Sequence, residues 1–337
     1  MPVKQNKPTF SIIIPIRIEN DYLKETLFHL SLQSYKSFEI LVITDKISGS
    51  ANPAQKRNHG AKIAKGKYLA FLDDDSYPSK DWLKNSFKYL NKHPNTAAVC
   101  GPCLTPPQNN IYQKSSGLLW ASHLGSGGAG TYRNSISPPR YVQDFPSVNL
   151  IVKKKYFDLI NGFDTYHWPG EDTILCLNLI NLGKKIYYHP SIQVFHHRRA
   201  ILMSHLQQIR RYALHRGNFA RIFPKTSLKI GYFGPSLSIL YTTLLFLLFF
   251  TKKFTFTYGY ISIILLFPFI LYIFLLLITF VIFLKNKNSF FLSLLTIITI
   301  PVTHVYYGIL FIYGFFKKKL DFTPHSVNSK TGDYLGG

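Results

Sequence analysis

Three consecutive aspartates, Asp73, Asp74 and Asp75, directly follow the apolar run Tyr68–Leu72. The chain has only 16 Asp and Glu residues among 337, so this clustering is unusual. Adjacent carboxylates repel one another unless a cation lies between them, and hard divalent cations take oxygen ligands and bridge to phosphates. An acidic turn that caps the following helix is the alternative. The position after a buried strand favours a divalent cation site for a phosphate-bearing ligand.

A second acidic pair, Glu171 and Asp172, opens the apolar helical pattern Thr173–Leu182. Adjacent residues of an α-helix point about 100° apart, so only one of the two side chains can face a substrate directly. A carboxylate in that position can act as a general base toward a hydroxyl group. Acids also occur at helix N-termini because the helix dipole favours them, and this is the alternative interpretation.

The charge balance also points to a phosphate-bearing partner. The chain has 39 Lys and Arg residues and a formal net charge of +23. Nucleic acid, anionic lipid and nucleotide phosphate are the polyanions that such a charge favours. The hydrophobic content of 47% excludes a disordered chain, and three cysteines exclude a disulfide scaffold and favour a reducing compartment. The N-terminus does not resemble a signal peptide, so we expect the first region to stay in the cytosol.

The elements that must position these acids follow an alternating pattern. Continuous apolar runs, as in strands covered on both faces, alternate with helical patterns. Such strand–helix–strand units predict an α/β fold with a mostly parallel sheet, which binds ligands at the carboxyl ends of its strands. In chain order the runs are Phe10–Ile14, Tyr22–Ser34, Phe38–Thr44, Ala54–Ala64, Tyr68–Leu72 and Lys80–Asn91.

The acidic triplet and five further motifs resemble those of family 2 glycosyltransferases with the GT-A fold, of the membrane-anchored, bacterial cell-envelope type. The acidic triplet resembles the D-x-D motif of that family. The other matching segments are Phe10–Pro15, Phe38–Asp45, Lys56–Gly60, Asn161–Asp164 and Gly170–Asp172. The resemblance implies a GT-A, Rossmann-like catalytic domain that transfers a sugar from a nucleotide-sugar donor.

The resemblance also implies roles for individual residues. Asp45 is expected beside the base of the donor, Arg57 near its nucleotide and Asp73 near its ribose, with Pro15 and Asp74 in the same donor-binding set. Thr44 stands where the family usually has a further acid.

The implied cofactor is Mg²⁺ or Mn²⁺, with Asp75 as a ligand. A histidine after the short strand Gln193–Phe195 often contacts the metal or the diphosphate in this fold, and His197 is chosen narrowly over His196. The family match favours Asp172 as the catalytic base and Glu171 as its structural or acceptor-contacting partner.

The C-terminal third of the chain has a different composition. Three stretches without charged residues, Gly231–Thr251, Phe254–Leu284 and Asn288–Phe316, are separated by Lys252-Lys253 and Lys285–Lys287. A membrane-spanning helix needs roughly 20 mostly apolar residues, so two or three spans are predicted. The first stretch is either a span or a re-entrant segment, and the side of the membrane that holds Lys317–Lys319 stays open.

These patterns divide the chain into a catalytic domain (1–200), an interfacial amphipathic helix region (201–230), a transmembrane region (231–320) and a polar tail (321–337). The basic helix predicted over 201–222 suits an anionic membrane surface. The glycine-rich segment Gly125–Gly130 neither follows a strand nor begins a helix, so it is interpreted as a loop that orders over donor or acceptor.

The resemblance implies an inverting, metal-dependent glycosyltransferase in the cell (inner) membrane, multi-pass, with a cytoplasmic catalytic domain. Its expected partners are a nucleotide-sugar donor, a lipid-linked or glycan acceptor and membrane lipids, without nucleic acid. A processive polysaccharide synthase is the alternative within the same class. A basic membrane protein that binds nucleic acid is the alternative from a different class, and it leaves both acidic motifs unexplained.

Overall fold

The computed structural model describes residues 7–128, 130–250, 259–318 and 320. These residues fall into two compact units. The first comprises 7–107 and 132–197, and the second comprises 108–128, 130–131, 198–250, 259–318 and 320. Residues 108–131 therefore group with the C-terminal part of the chain, although the sequence placed them in the catalytic domain. The loop at Lys252-Lys253, Lys319 and the polar tail 321–337 lie outside the described residues.

Short strands and helices alternate along the first unit, and long helices follow in the second. The strands are β1 (Phe10–Pro15), β2 (Phe38–Ile43), β3 (Tyr68–Phe71), β4 (Ser76–Pro78), β5 (Thr96–Cys100), β6 (Cys103–Leu104), β7 (Arg140–Val142), β8 (Leu150–Lys153), β9 (Lys185–Tyr188) and β10 (Val194–His196). The helices are α1 (Asp21–Ser31), α2 (Asp45–Ser48), α3 (Pro53–Ile63), α4 (Trp82–Lys92), α5 (Ile111–Ala121), α6 (Thr131–Asn134), α7 (Lys154–Leu159), α8 (Glu171–Asn181), α9 (Met203–Ile222), α10 (Pro224–Ser227), α11 (Ile230–Phe250), α12 (Gly259–Lys285) and α13 (Phe290–Phe316).

A seven-stranded sheet in the order β2-β1-β3-β8-β5-β9-β7 forms the centre of the first unit. Strand β1 pairs in parallel with β2 and β3, as the alternating pattern predicted. Strand β8 is antiparallel to both β3 and β5, and β7 is antiparallel to β9. The sheet is therefore mixed, and the mostly parallel arrangement that was predicted holds only for its first three strands and the β5–β9 pair.

Both faces of this sheet are buried, which explains why its strands read as unbroken apolar runs. Successive side chains of a strand point to opposite faces. Ile13, Leu69 and Phe71 accordingly join one buried cluster, and Ile12 and Tyr68 join another. The predicted α/β domain with a covered sheet is thus confirmed.

A second, three-stranded sheet in the order β4-β10-β6 lies at the carboxyl end of β3. Strand β10 is antiparallel to β4, and His196 is the register partner of Ser76. This register brings the histidine pair to the residue that directly follows the acidic triplet.

Long helices form the second unit. Helix α13 packs along α9, and glycines at the crossing allow close approach of the two backbones. An added Cβ at Gly217 would collide with the carbonyl oxygen of Phe311, and one at Gly314 would collide with that of Leu214. Since neither collision is with a flexible side chain, only glycine fits at these two positions.

Helix α9 covers most of the range predicted as a basic interfacial helix, 201–222, and its C-terminal half is largely buried. All residues from 213 to 220 are buried, including Arg216, which is 2% exposed. The guanidinium of Arg216 lies over the rings of Tyr212 and Tyr232, at 5.2 and 4.7 Å from their centroids. The helical spacing was read correctly, but the C-terminal half of this helix is packed inside the unit instead of presenting a solvated basic face.

Three helices are long and apolar enough to cross a membrane, over Ile230–Leu247, Leu265–Lys285 and Phe290–Phe316. They agree with the predicted group of two or three spans. The first of them, predicted as either a span or a re-entrant segment, lies within the continuous helix α11.

Candidate functional site

The acidic triplet lies in the turn between β3 and β4, at the carboxyl end of a buried strand. Ser76 donates hydrogen bonds to the carbonyl oxygen of Asp73 from its backbone nitrogen (3.2 Å) and from its hydroxyl (2.7 Å). The backbone nitrogen of His197 donates to the carbonyl oxygen of Asp75 (3.0 Å). The turn is therefore held in place by hydrogen bonds to its backbone carbonyl groups rather than to the carboxylates of Asp73 and Asp75.

Asp73, Asp75 and His196 form a possible metal site. Each offers one ligand atom, and the three atoms lie within 4.8 Å of one another. His196 Nε2 is 3.2 Å from Asp75 Oδ1. Two carboxylates and an imidazole, all partly exposed, form a donor set that suits a divalent cation such as Mn²⁺, and the carboxylates also suit Mg²⁺.

His197, the histidine chosen from the sequence, does not join this group. Its Nε2 lies 2.7 Å from Oε2 of Glu25, and its ring lies 4.5 Å from the ring of Tyr22. Neighbouring residues along a strand direction point to opposite sides. Because His196 points to Asp75, His197 points instead to α1. His196 rather than His197 therefore belongs to the candidate group, and the choice of histidine ligand stays a prediction.

Asp74 also points away from the cation group. Its Oδ2 accepts a hydrogen bond of 2.7 Å from Nδ2 of Asn20, the residue that caps α1. Burial, together with the nearby charge of Asp75, raises the pKa of Asp74 to about 6. The carboxylate of Asp74 therefore connects the acidic turn to α1, although the sequence assigned it to donor binding.

Arg57 links the two acidic motifs. Its Nη2 lies 2.7 Å from Oδ1 of Asp73, and its Nη1 lies 3.0 Å from Oε1 of Glu171. Arg57 is only 5% exposed. Burial opposes its charged form, but Asp73, Glu171 and Asp172 outweigh burial and raise the pKa of Arg57, so it stays a cation.

The acidic pair opens α8 as the sequence predicted, and its two side chains have different surroundings. Glu171 is buried, pairs with Arg57 and accepts a hydrogen bond of 3.0 Å from the backbone nitrogen of Gly170. Burial and the neighbouring Asp172 raise the pKa of Glu171 to about 8. Glu171 therefore has the contacts of a structural partner.

Asp172 has one oxygen held and one free. Its Oδ2 accepts a hydrogen bond of 3.1 Å from the backbone nitrogen of Ser147. Its Oδ1 is buried and makes no hydrogen bond to any described residue. Burial raises the pKa of Asp172. A buried carboxylate oxygen without a donor has a strong tendency to take up a proton or a hydroxyl hydrogen.

Asp45 and Pro15 lie at the carboxyl ends of β2 and β1, which are neighbours in the sheet. Oδ1 of Asp45 is 2.6 Å from Nζ of Lys56, and the same Nζ donates to the carbonyl oxygen of Ile16 (2.8 Å). Thr44, which replaces an acid of the family pattern, caps α2 by accepting a hydrogen bond from Ile47 N. Asp45, which the resemblance places beside the base of the donor, thus lies at this edge next to Lys56, a residue that the sequence did not single out.

Two of the recognised motifs are joined by a reciprocal pair of hydrogen bonds. Nδ2 of Asn58 donates to the carbonyl oxygen of Phe163 (2.8 Å), and the backbone nitrogen of Phe163 donates to Oδ1 of Asn58 (2.9 Å). Asn161 has a φ of 60°, a left-handed conformation that asparagine tolerates better than most residues. This accounts for Asn161 in place of the usual first glycine.

Sequence reasoning therefore found both acidic motifs and Arg57, but it placed Arg57 near the nucleotide and missed its pairing with Asp73 and Glu171. Lys56 and Arg57 directly precede Asn58 in the same motif. This cluster of two basic residues was the sequence signal for a contact with the acidic motifs. The choice of His196 depended on the pairing of β10 with β4, for which the sequence contains no comparable signal.

Comparison with known proteins defines the class of the first unit. Residues 46–157 match the model of Glycosyl transferase family 2. A pre-mycofactocin glycosyltransferase of Mycobacterium tuberculosis is 28% identical over 154 residues, which are 45% of this chain and 32% of that protein. This chain thus matches about a third of the length of that relative. Residues 46–157 are therefore similar to a family 2 glycosyltransferase domain.

Two further proteins match a larger share of the chain. A Methanococcus voltae protein is 24% identical over 273 residues, which are 70% of this chain and 82% of that protein. Its name is dolichyl N-acetyl-alpha-D-glucosaminyl phosphate 3-beta-D-2,3-diacetamido-2,3-dideoxy-beta-D-glucuronosyltransferase. A mannosyltransferase from Pyrobaculum calidifontis, solved in complex with GDP-Man and Mn²⁺, gives a TM-score of 0.46 at 18% identity and covers 65% of each chain.

Proposed function

We propose that this protein is an inverting, metal-dependent glycosyltransferase that moves a sugar from a nucleotide-sugar donor to a membrane-presented, lipid-linked acceptor. The observation that carries the proposal is the position of Arg57, which contacts Asp73 of one acidic motif and Glu171 of the other. One buried cation thereby joins a possible metal site to Glu171, the neighbour of the proposed base Asp172.

On the donor side, Asp75, Asp73 and His196 would hold Mg²⁺ or Mn²⁺. The cation would supply positive charge to the diphosphate that leaves the sugar. Asp45 and Lys56, at the carboxyl ends of the parallel strands, would contact the nucleotide, as would Pro15 at the end of β1. This assignment follows the rule that open α/β sheets bind ligands at that edge.

On the acceptor side, Asp172 would act as the base. The acceptor hydroxyl oxygen forms a bond to the anomeric carbon of the sugar, and the bond from that carbon to the diphosphate oxygen breaks. The electron pair leaves with the diphosphate, and the hydroxyl proton passes to Oδ1 of Asp172, the buried oxygen that makes no hydrogen bond to any described residue. A single displacement of this kind inverts the configuration at the anomeric carbon.

Glu171 would position the base without touching the substrate. Its carboxylate is engaged by Arg57 and by the backbone of Gly170. Because Arg57 also pairs with Asp73, it supplies positive charge near both carboxylates of α8 and limits the rise of the pKa of Asp172. The base can therefore remain ionised in a buried setting.

The acceptor is proposed to be lipid-linked, such as an oligosaccharide carried on a polyprenyl phosphate, and a sugar hydroxyl of that oligosaccharide supplies the proton that Asp172 takes up. Three helices apolar enough to cross a membrane support presentation at the bilayer. The Methanococcus relative is named for a dolichyl-phosphate-linked sugar. We propose that the catalytic domain faces the cytoplasm at the cell membrane, and that the positive charge serves donor phosphates and lipid head groups rather than nucleic acid.

The test uses the full chain in lipid nanodiscs, a panel of nucleotide sugars, Mn²⁺ and a membrane lipid extract. Release of nucleoside diphosphate is measured together with the incorporation of sugar into lipid. Asp75→Ala should abolish donor turnover. Asp172→Asn should abolish transfer and keep the affinity for nucleotide, because Asp172 acts on the acceptor.

Asp21→Asn is the matched control, because the Asp21 side chain is 95% exposed and pairs only with a surface lysine among its described ion pairs. It should transfer sugar like the wild type. Full transfer by Asp172→Asn would reject the base assignment. Failure of every donor together with tight, salt-sensitive binding of nucleic acid would reject the glycosyltransferase proposal.

A further inference from the structure

The second unit has an extreme charge composition. Residues 108–131 and 198–320 contain none of the 16 Asp and Glu residues of the chain, whereas 16 of its 39 Lys and Arg residues lie there. The sequence of this unit therefore holds no carboxylate that could balance its own cations. A unit of this kind is suited to an anion from another molecule.

A cleft lies within this unit between α5, α9, α11 and α13. Aromatic rings and glycine backbone form most of its wall. Its lining residues are Trp120, Gly125, Ser126, Gly127, Gly130, Ile209, Tyr212, Gly231, Tyr232, Pro235, Thr303, His304 and Tyr307. None of them is acidic, and the described part of the predicted glycine-rich loop forms one side.

The cleft adjoins the N-terminal end of α11 and the middle of α13. Tyr232 and Pro235 are in the first two turns of α11, and Thr303, His304 and Tyr307 lie about halfway along α13. In membrane proteins, aromatic residues concentrate where the hydrocarbon region meets the polar head groups. An aromatic cleft at this level suits a molecule that is apolar at one end and polar at the other.

Two buried polar groups adjoin the rings of the cleft. Tyr307 is 8% exposed, and its hydroxyl makes no hydrogen bond to any described residue. A buried hydroxyl without a hydrogen-bond partner makes the folded protein less stable by about 1–3 kcal/mol than a hydrogen-bonded one does. The guanidinium of Arg216 lies over two lining rings, those of Tyr212 and Tyr232.

We propose that this cleft binds a phosphate-bearing lipid at the junction between its head group and its hydrocarbon chain, and that this lipid is the acceptor. The second clause rests on the proposed function. The rings of Trp120, Tyr212 and Tyr232 contact the first segment of the chain. The Tyr307 hydroxyl donates a hydrogen bond to an oxygen of the head group, and Arg216 supplies positive charge from behind the rings.

A phosphate-bearing lipid explains both the aromatic wall and the cationic surroundings of the cleft, which simpler ligands would not. A free phosphate ion would not need the aromatic wall, and a neutral prenol or a hydrocarbon alone would not use the cationic surroundings. A phosphate ester of a hydrocarbon chain uses both. The close approach of α11 and α13, where an added Cβ at Gly308 would lie 2.7 Å from the carbonyl oxygen of Pro235, forms a firm boundary beside Tyr307.

The experiment is photolabelling of the full chain in nanodiscs with a diazirine analogue of farnesyl phosphate, without nucleotide sugar. Cross-linked peptides are mapped by mass spectrometry. Label is expected in peptides that contain Trp120, Tyr212, Tyr232 or Tyr307. Tyr307→Phe should raise the concentration for half-maximal labelling about 10-fold, the equivalent of one hydrogen bond to a charged group.

Tyr313→Phe is the matched control, because Tyr313 lies on the same helix and is 52% exposed. It should label like the wild type. Arg216→Lys, which keeps the charge but loses the planar group, should weaken labelling less than Arg216→Gln. Equal labelling by the farnesol analogue, displacement by millimolar inorganic phosphate, equal competition by phosphatidylglycerol, or unchanged labelling in Tyr307→Phe would each overturn the proposal.

The outcome for this site is separable from the outcome for the enzyme. Labelling as expected in a protein that releases no nucleoside diphosphate would keep the lipid site and reject the glycosyltransferase. Sugar transfer to lipid with label confined to peptides outside the cleft would keep the glycosyltransferase and reject the cleft as its acceptor site.

Discussion

The two units bury polar groups in opposite ways. In the first unit, buried charges are paired: Arg57 with Asp73 and Glu171, and Arg133 with Asp144. In the second unit the sequence contains no acid, so none of its buried polar contacts involves a carboxylate of that unit. The hydroxyl of Ser116 and that of Thr303 lie 3.1 Å from the two ring nitrogens of His205.

The difference shows where each unit can accept a charged ligand. Paired charges in the first unit can be redistributed when a cation and a diphosphate arrive, because each acid and each base already has a partner. The second unit has no carboxylate of its own beside its cations. The predictions below test this difference between the two units.

The largest effect is expected for Arg57→Met. It leaves Asp73 and Glu171 without their shared cation, and breaking a buried ion pair from one side destabilises proteins by about 3–5 kcal/mol. Urea denaturation of the full chain, followed by a first-unit tryptophan signal, measures the change. Lys24→Met removes an exposed ion pair and should change stability by less than about 1 kcal/mol. Equal effects of the two substitutions would contradict the buried junction.

Gly217→Ala should destabilise the second unit by about 1–3 kcal/mol, because the new methyl group meets the backbone of α13. Gly234→Ala is the control, since an added Cβ there has no neighbour within 4 Å. In a helix interior that exchange is neutral or stabilises by up to about 1 kcal/mol. Thermal melting of the detergent-solubilised protein distinguishes them, and a stable Gly217→Ala variant would reject the close α9–α13 contact.

The burial of His205 predicts that the stability of the second unit depends on pH. Burial lowers its pKa to about 4, below the usual value of 6.5, so the neutral ring is the folded form. The unfolded chain takes up a proton first as the pH falls. The contribution to stability is therefore complete above pH 6.5, is lost progressively down to pH 4, and amounts to about 2 kcal/mol between pH 7 and pH 5.

His205→Gln should remove this part of the pH dependence, because glutamine keeps hydrogen-bonding capacity without titrating. Unfolding of wild type and variant is compared at pH 7 and pH 5. An identical loss of stability on acidification in both proteins would show that other groups dominate.

The smallest effect is expected at the metal site. His196→Ala should weaken Mn²⁺ binding about 10-fold, as loss of one group that holds or orients a metal typically does. His197→Ala should leave Mn²⁺ binding close to that of the wild type, because His197 faces Glu25. Calorimetric titration of Mn²⁺ in the presence of nucleoside diphosphate provides the measurement. The reverse ranking would restore the ligand choice made from the sequence.

Sequence patterns predicted the parts of the molecule that depend on neighbouring residues. The acidic triplet after β3 and the acidic pair at the start of α8 are local signals, and the apolar helices are signals of composition. The pairing of Arg57 with Glu171 joins residues 114 positions apart, so no local pattern contains it. The side of β10 that faces Asp75 depends in turn on its register with β4.

Helix α9 shows a different limit of sequence reasoning. Arginines at helical spacing before apolar segments are typical of a membrane-surface helix, and this pattern was present. A helix that buries an arginine over an aromatic ring shows the same sequence spacing as a membrane-surface helix, since Tyr212 and Arg216 are one turn apart on the helix. Only the packing of α11 and α13 against α9 distinguishes the two cases.

The sharing of one guanidinium by two carboxylates has a consequence for how this sequence can diverge. Neutralising Asp73 alone leaves Arg57 committed to Glu171, and neutralising Glu171 alone leaves it committed to Asp73. The effects of Asp73→Asn and Glu171→Gln should therefore not add, and the double variant should differ from their sum by about 0.5–3 kcal/mol. Homologues that exchange one of these acids are accordingly expected to change the arginine or the other acid as well, so that the three positions are inherited together.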